Sequence, residues 1–180
     1  MAAEAANARP LPTYVEARPV GHRLSCNGPG DEGWPGERYL LLHSFAHALI
    51  RELALECGYT ASSIRERLYA TTSGDPEPMA GVLLYTAAPD SEGTLGGLVS
   101  LGEPDQLGPL LRQALERAQL CSSDPLCSEH DPRSDSSVHA AACHACQFAS
   151  ETSCERGNRF LDRATLVPTL ARDVAYFPAT

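Results

Sequence analysis

The sequence predicts an α+β fold, mainly helical, with a small buried sheet and a cysteine-rich loop region that binds a metal ion. Three observations carry this reading. Apolar residues recur at helical spacing over Glu37–Cys57 and again over Pro104–Leu120, the run GVLLYTA (Gly81–Ala87) has the length of a strand, and five of the seven cysteines fall between Cys121 and Cys154.

With 180 residues, 43% of them hydrophobic, the chain has material for one domain with an ordinary core. Residues 1–37 hold five prolines and no sustained apolar period, so they read as an extended Pro/Gly-rich lead-in with a short strand near Tyr14–Leu24; the domain proper is 38–180. Within it, Leu42, Phe45, Ala46, Leu49 and Leu53 form a stripe, and Gly58 stands where a helix C-terminal glycine belongs, which gives a core helix over Glu37–Cys57. Ser62 or Ser63 then caps a short helix through Tyr69, and TTSGDPEP (71–78) breaks the pattern as a loop. Gly81–Ala87, bounded by Pro78 and Pro89-Asp90, is expected to be a buried strand. A glycine-rich turn leads to a short helix over Thr94–Leu101 and a longer one over Pro104–Leu120, with Leu107, Leu110, Leu111, Ala114, Leu115 and Ala118 facing the core. After the cysteine region, Phe160, Leu161, Ala164 and Leu166 restore a helical pattern over Arg156–Leu170.

The longest apolar stretch, Tyr39–Ile50, is interrupted by His43, Ser44 and His47 and falls well short of the roughly 20 residues that span a bilayer. The start, MAAEAANARPLPT, lacks the basic and apolar segments of an export signal, so a cytoplasmic protein is expected. Its formal net charge of −9 disfavours binding to a nucleic-acid backbone unaided, since phosphate contacts need a local excess of cations; a role on DNA would need a basic partner.

The cysteines read Cys121-x5-Cys127-x15-Cys143-x2-Cys146-x7-Cys154. An odd cysteine count with no export signal favours thiolates on a metal over disulfides, and the two-residue gap of Cys143 and Cys146 lets both sulfurs face one ion. One structural Zn2+ is predicted on Cys127, Cys143, Cys146 and Cys154, in the zinc region 121–154. Cys121 is the alternative to Cys127 as the fourth ligand, set aside because it ends the preceding helix while Cys127 lies beyond Pro125 in a loop free to fold back. A closed four-sulfur site leaves no position for water and holds loops rather than catalysing a reaction. The competing use of Cys143 and Cys146 as a redox dithiol lacks the strand-to-helix setting of that motif.

His43 and His47 lie one helical turn apart and can chelate a second metal, as zincin histidines do, but the motif HSFAH lacks the catalytic glutamate. The simpler expectation is two half-buried histidines bonded to backbone or acidic neighbours; the alternative is a metal-dependent hydrolase using both with an acid such as Asp90. The glycines after the strand (Gly93, Gly96, Gly97) fit neither a P-loop nor a dinucleotide fingerprint. Arg156, Arg159 and Arg163 recur at intervals of three and four, which in a helix would line one face and offer a DNA or partner contact.

Taken together, LLHSFAHALI, IRERLY, GVLLYTAAPDSEGTLGGLV, CSSDPLC, AACHAC, ETSC and NRFLDR resemble the MrfA-like zinc-binding domain, found at the C-terminus of certain DNA helicases and in DrmB of the DISARM anti-phage system. The matching pieces cover roughly residues 38–167, and the turn PDSEGTLGG is most similar to the DrmB-like branch. The resemblance implies a zinc module working beside an ATP-driven helicase in DNA repair or anti-phage defence, with cysteines of CSSDPLC, CHAC and ETSC as ligands. No Walker A lysine or DEAD-like box is present, so any helicase or ATPase activity belongs to a partner or another chain. The expected function is therefore a non-enzymatic accessory module, docking to a helicase or other defence or repair protein and meeting DNA only through that complex.

Overall fold

A computed structural model of the chain describes residues 35–71, 76–86, 96–130, 140–170 and 173–177. The expected strand near Tyr14–Leu24 and the turn around Pro89, Asp90 and Gly93 lie outside these residues. Helix α1 (Glu37–Cys57) occupies the centre, with strands β1 (Ile64–Ala70) and β2 (Ala80–Thr86), the short helix α2 (Gly96–Leu101) and helix α3 (Pro104–Ala118) arranged around it. No helix among the described residues is long and apolar enough to cross a membrane.

Helix α1 runs over the expected residues because its apolar positions face several directions at once, and a helix apolar on most sides belongs inside. Ile50, Leu53, Ala54 and Leu49 meet Ile64 and Leu110, while Leu41 and Ala48 meet Ala114, Leu115, Ala118 and Leu166. The helix stops at Gly58, whose φ of 68° is left-handed and whose N–H donates to Leu55 O. A Cβ built on Gly58 would meet nothing within 4 Å, so only the backbone conformation opposes a side chain there. Gly58→Ala is accordingly expected to cost about 1 kcal/mol, seen as a lower urea midpoint at unchanged slope; an unchanged midpoint would remove the left-handed cap from the account.

The helix expected from Ser62 or Ser63 to Tyr69 is instead a single 3-10 turn (Ala61–Ser63) followed by β1. Ile64 and Leu68 are four residues apart, a spacing that suits a helical face and a strand face equally. The intervening residues decide it: Ile64, Glu66 and Leu68 are buried while Arg65, Arg67 and Tyr69 are exposed, and β1 pairs antiparallel with β2 from Ile64↔Thr86 to Ala70↔Ala80. The run at Ala80–Thr86 is a strand as expected, but not a buried one. The sheet has two strands, one face lies against α1, and Leu83 and Tyr85 on the other are 48% and 41% exposed.

Helices α2 and α3 lie where the apolar pattern puts them, and Leu110, Ala114, Leu115 and Ala118 of α3 are buried. The helix expected over Arg156–Leu170 is absent; only Arg163–Thr165 forms a 3-10 turn. Gly157, Asn158 and Phe160 take φ of 58°, 61° and 63°, left-handed values that no right-handed helix accommodates. Leu161, Ala164, Leu166 and Val167 are nonetheless buried, so their apolar spacing reflected a turn pressed into the core rather than a helix face.

Candidate metal centre

The end of α3 and the turn after it set up the first half of the centre. Asp124 accepts from Cys121 N–H at 2.8 Å while its own N–H donates to Cys121 O at 2.9 Å, and Cys127 N–H donates to Ser123 O at 3.1 Å. This curl aims Cys121 and Cys127 the same way. In the second half, Cys143 O accepts from the N–H groups of Cys146, Gln147 and Phe148 at 2.9–3.1 Å, a tight turn that brings the Cys143 and Cys146 sulfurs to 3.7 Å.

The halves meet sulfur to sulfur, with Cys127 Sγ 3.7 Å from Cys146 Sγ and Cys121 Sγ 3.4 Å from Cys143 Sγ; all four lie within 4.8 Å of one another. Zinc–sulfur bonds of about 2.3 Å at tetrahedral angles separate sulfurs by about 3.8 Å, so the donor set fits zinc in number, chemistry and spacing. Cys127 is buried and the other three are half-buried, and all six cysteines among the described residues are free thiols. A hydrogen bond from Cys146 brings the Cys127 thiol down to about 6 against the effect of burial, with the charge of Arg163 assisting. Cys146, as donor to Cys127 and partly buried, is pushed well up, and burial also raises Cys121.

Arg163 supports this centre from behind. It is wholly buried, donates to Ala118 O and Gln119 O at 2.9 and 3.0 Å, and pairs with Asp124. One guanidinium therefore neutralises the carbonyl end of α3 and the aspartate that shapes the Cys121–Cys127 curl.

Two expectations need correction here. Cys154 does not lie with the other cysteines; Cys121, set aside in favour of Cys127, completes the group, because the segment just past the end of α3 starts the curl that carries Cys127. The three arginines do not share a face: no helix holds them and Arg163 is buried, while Arg156 is exposed beside the Tyr39 ring and Arg159 is half-buried.

Cys154 lies instead with His43, His47 and Glu66. Both histidines are 0% exposed rather than half-buried, and they bond to backbone and acid as expected. Burial works to raise the Cys154 thiol, but the hydrogen bond from His43 and the proximity of His47 outweigh it and bring it to about 6. Burial likewise opposes ionisation of Glu66, and His43 and His47 overcome it, holding the carboxyl at about 2. Sequence reasoning missed Glu66 because a helical reading of IRERLY leaves its direction open. A strand period would have placed it between Ile64 and Leu68, facing inward.

Four cysteine sulfurs converging between a helix end and a turn define a zinc-binding domain. The family model of the MrfA Zn-binding domain matches residues 45–147, more than half of the chain, and the chain belongs to that family. Its metal is zinc. The matched region takes in Cys121, Cys127, Cys143 and Cys146 and ends before Cys154. The chain is also 49% identical over 140 residues, 78% of its length, to the DISARM protein DrmB of Bacillus paralicheniformis, and that alignment spans 24% of the relative.

Proposed function

We propose that this chain is a non-catalytic, zinc-stabilised accessory module, with the ion on Cys121, Cys127, Cys143 and Cys146, that docks to a helicase partner in an anti-phage or repair assembly and helps it engage DNA. The observation that carries the reading is the closed sulfur set: four donors leave zinc no open position for water, so the ion fixes loops rather than activating a nucleophile. The hydrolase alternative at His43 and His47 needs a solvent-reached metal, and both side chains are fully buried. Similarity to a DISARM protein of which this chain matches a quarter supports a module that works within something larger.

The outer sheet face is the surface best suited to a DNA contact. Arg65 stands opposite Tyr85 and Arg67 opposite Leu83, with Tyr69 beside them, which alternates cations with stacking groups. Arg67 reaches Glu155 at 3.6 Å, and Arg156 lies 5.6 Å from the Tyr39 ring whose hydroxyl donates to the same carboxylate at 2.9 Å, so Arg156 borders this face. With 23 acidic against 14 basic residues, the chain alone is expected to bind DNA weakly at physiological salt. The test is co-expression with the helicase partner, followed by DNA binding over a salt series. Arg65→Ala/Arg67→Ala/Arg156→Ala is expected to flatten the log affinity against log salt slope by about one per lost phosphate contact. Identical slopes would leave docking as the module's role, and failure to co-purify with the partner would overturn docking itself.

A further inference from the structure

The buried cluster of His43, His47, Glu66 and Cys154 is built from three segments far apart in the chain: α1 supplies both histidines, β1 supplies Glu66, and the turn after Ser153 supplies Cys154. One donor atom from each lies within 4.8 Å of the others. His43 Nε2 is 3.1 Å from Cys154 Sγ and 3.0 Å from Glu66 Oε1, and His47 Nε2 is 3.4 Å from the same carboxylate oxygen. Bonds of about 2.0–2.3 Å from nitrogen, oxygen and sulfur to a tetrahedral zinc would space such atoms about 3.3–3.8 Å apart; the observed separations are close to these.

The hydrogen bonds around the cluster fix which ring nitrogens face it. His43 Nδ1 faces Phe160 O at 3.1 Å and His47 Nδ1 faces Gln147 O at 2.7 Å. A carbonyl only accepts, so each Nδ1 carries a proton and a neutral ring turns the lone pair of Nε2 inward, the tautomer and second bond typical of a metal-binding histidine. Cys154 Sγ accepts from the N–H groups of Asn158 and Arg156 at 3.1 and 3.4 Å, which suits a thiolate. Four electron-rich groups therefore converge in a site sealed from water. Two extra protons could hold them together as ion pairs, His47 Nε2 lying 3.4 Å from Glu66 Oε1, but that arrangement leaves Glu66 Oε2 buried without a hydrogen-bond partner. A single divalent cation balances one carboxylate and one thiolate and takes the inward lone pairs of both imidazoles.

We propose that His43 Nε2, His47 Nε2, Glu66 and Cys154 Sγ form a second zinc site, distinct from the four-cysteine centre and equally closed. Its donors are a borderline mixture of two imidazoles, one carboxylate and one thiolate, a set that suits zinc. It is structural, since none of its four side chains reaches solvent far enough to admit a substrate, and it ties α1 and the sheet to the cysteine-rich region.

The test is metal analysis of the full chain, saturated with Zn2+ and desalted. Two equivalents per chain are expected, and saturation at one would overturn the site. His47→Gln/Glu66→Gln is expected to lose one equivalent and keep the other; two equivalents retained would equally overturn the site. Should this variant fail to fold, wild-type protein loaded with 113Cd decides. Two resonances well separated in shift are expected, because cadmium is deshielded according to the number of thiolates it binds, and a lone four-sulfur resonance would sink the proposal.

Discussion

Cys143→Ser/Cys146→Ser is expected to abolish zinc binding at the four-cysteine centre and, with it, the native state of the region from Cys121 to Val167. The described residues of this stretch form mostly turns with few backbone bonds to the helices and sheet, and two of the sulfurs that gather them belong to this pair. Structural zinc sites contribute about 10–16 kcal/mol in small peptides, against about 5–15 kcal/mol of total stability for a typical domain. Even a fraction of the former decides whether the domain folds. The region also holds Leu166 and Val167, which pack on α1 and α3, so its loss would open the main core. Thermal unfolding with and without a strong chelator, with zinc quantified in parallel, is the measurement. Cys121→Ser and Cys127→Ser should both lose this ion, whereas Cys154→Ser should retain it. Full occupancy in the double variant, or loss at this centre in Cys154→Ser, would refute the assignment of ligands.

The second large effect is expected at Arg163. Its guanidinium reaches two carbonyls at the end of α3 and the carboxylate of Asp124, all from a position with no solvent exposure. Replacing it by Met keeps much of the volume but strands Asp124 and both carbonyls, and breaking a buried pair of this kind costs about 3–5 kcal/mol. Arg163→Lys is expected to recover only part of this, because a single ammonium cannot meet three acceptors in the fork geometry. The curl from Cys121 to Cys127 depends on Asp124, so zinc affinity should fall along with stability. Denaturant melts and a competitive zinc titration measure the two together. A stability change below about 1 kcal/mol for Arg163→Met would mean that the interior there relaxes around the loss.

The elements most legible in the sequence were those whose apolar period has one interpretation. Helix α1 with its terminal glycine, helix α3 and the strand in GVLLYTA fall where the pattern puts them. Strand β1 was obscured because Ile64 and Leu68 satisfy both periods and only its pairing with β2 discriminates. The segment after Cys154 was obscured for a different reason: Asn158 and Phe160 adopt left-handed backbone, which a residue's type does not announce unless it is glycine. At the metal centre, the two-residue gap paired Cys143 with Cys146, since a tight turn is a local matter. Spacing could not choose the other two sulfurs among Cys121, Cys127 and Cys154, because those positions depend on which distant segment the core brings near. Glu66 was invisible for the same reason, its neighbours being supplied by α1 and by a turn nearly ninety residues further on.

The contacts of His43 carry a consequence for how the protein is made. Its ring touches Cys154 and Phe160, 111 and 117 residues further along the chain. At a translation rate of about 5–20 residues per second, the ribosome needs on the order of ten seconds to deliver those partners after α1 has emerged. During that interval the central helix α1 waits without the segment that covers its histidines, and nascent chains halted before Cys154 cannot bury them. Fragments ending between α3 and Cys154 should consequently associate with chaperones or aggregate, and refolding of the whole chain should be slow for its size, as expected when the decisive contacts are the most distant in sequence.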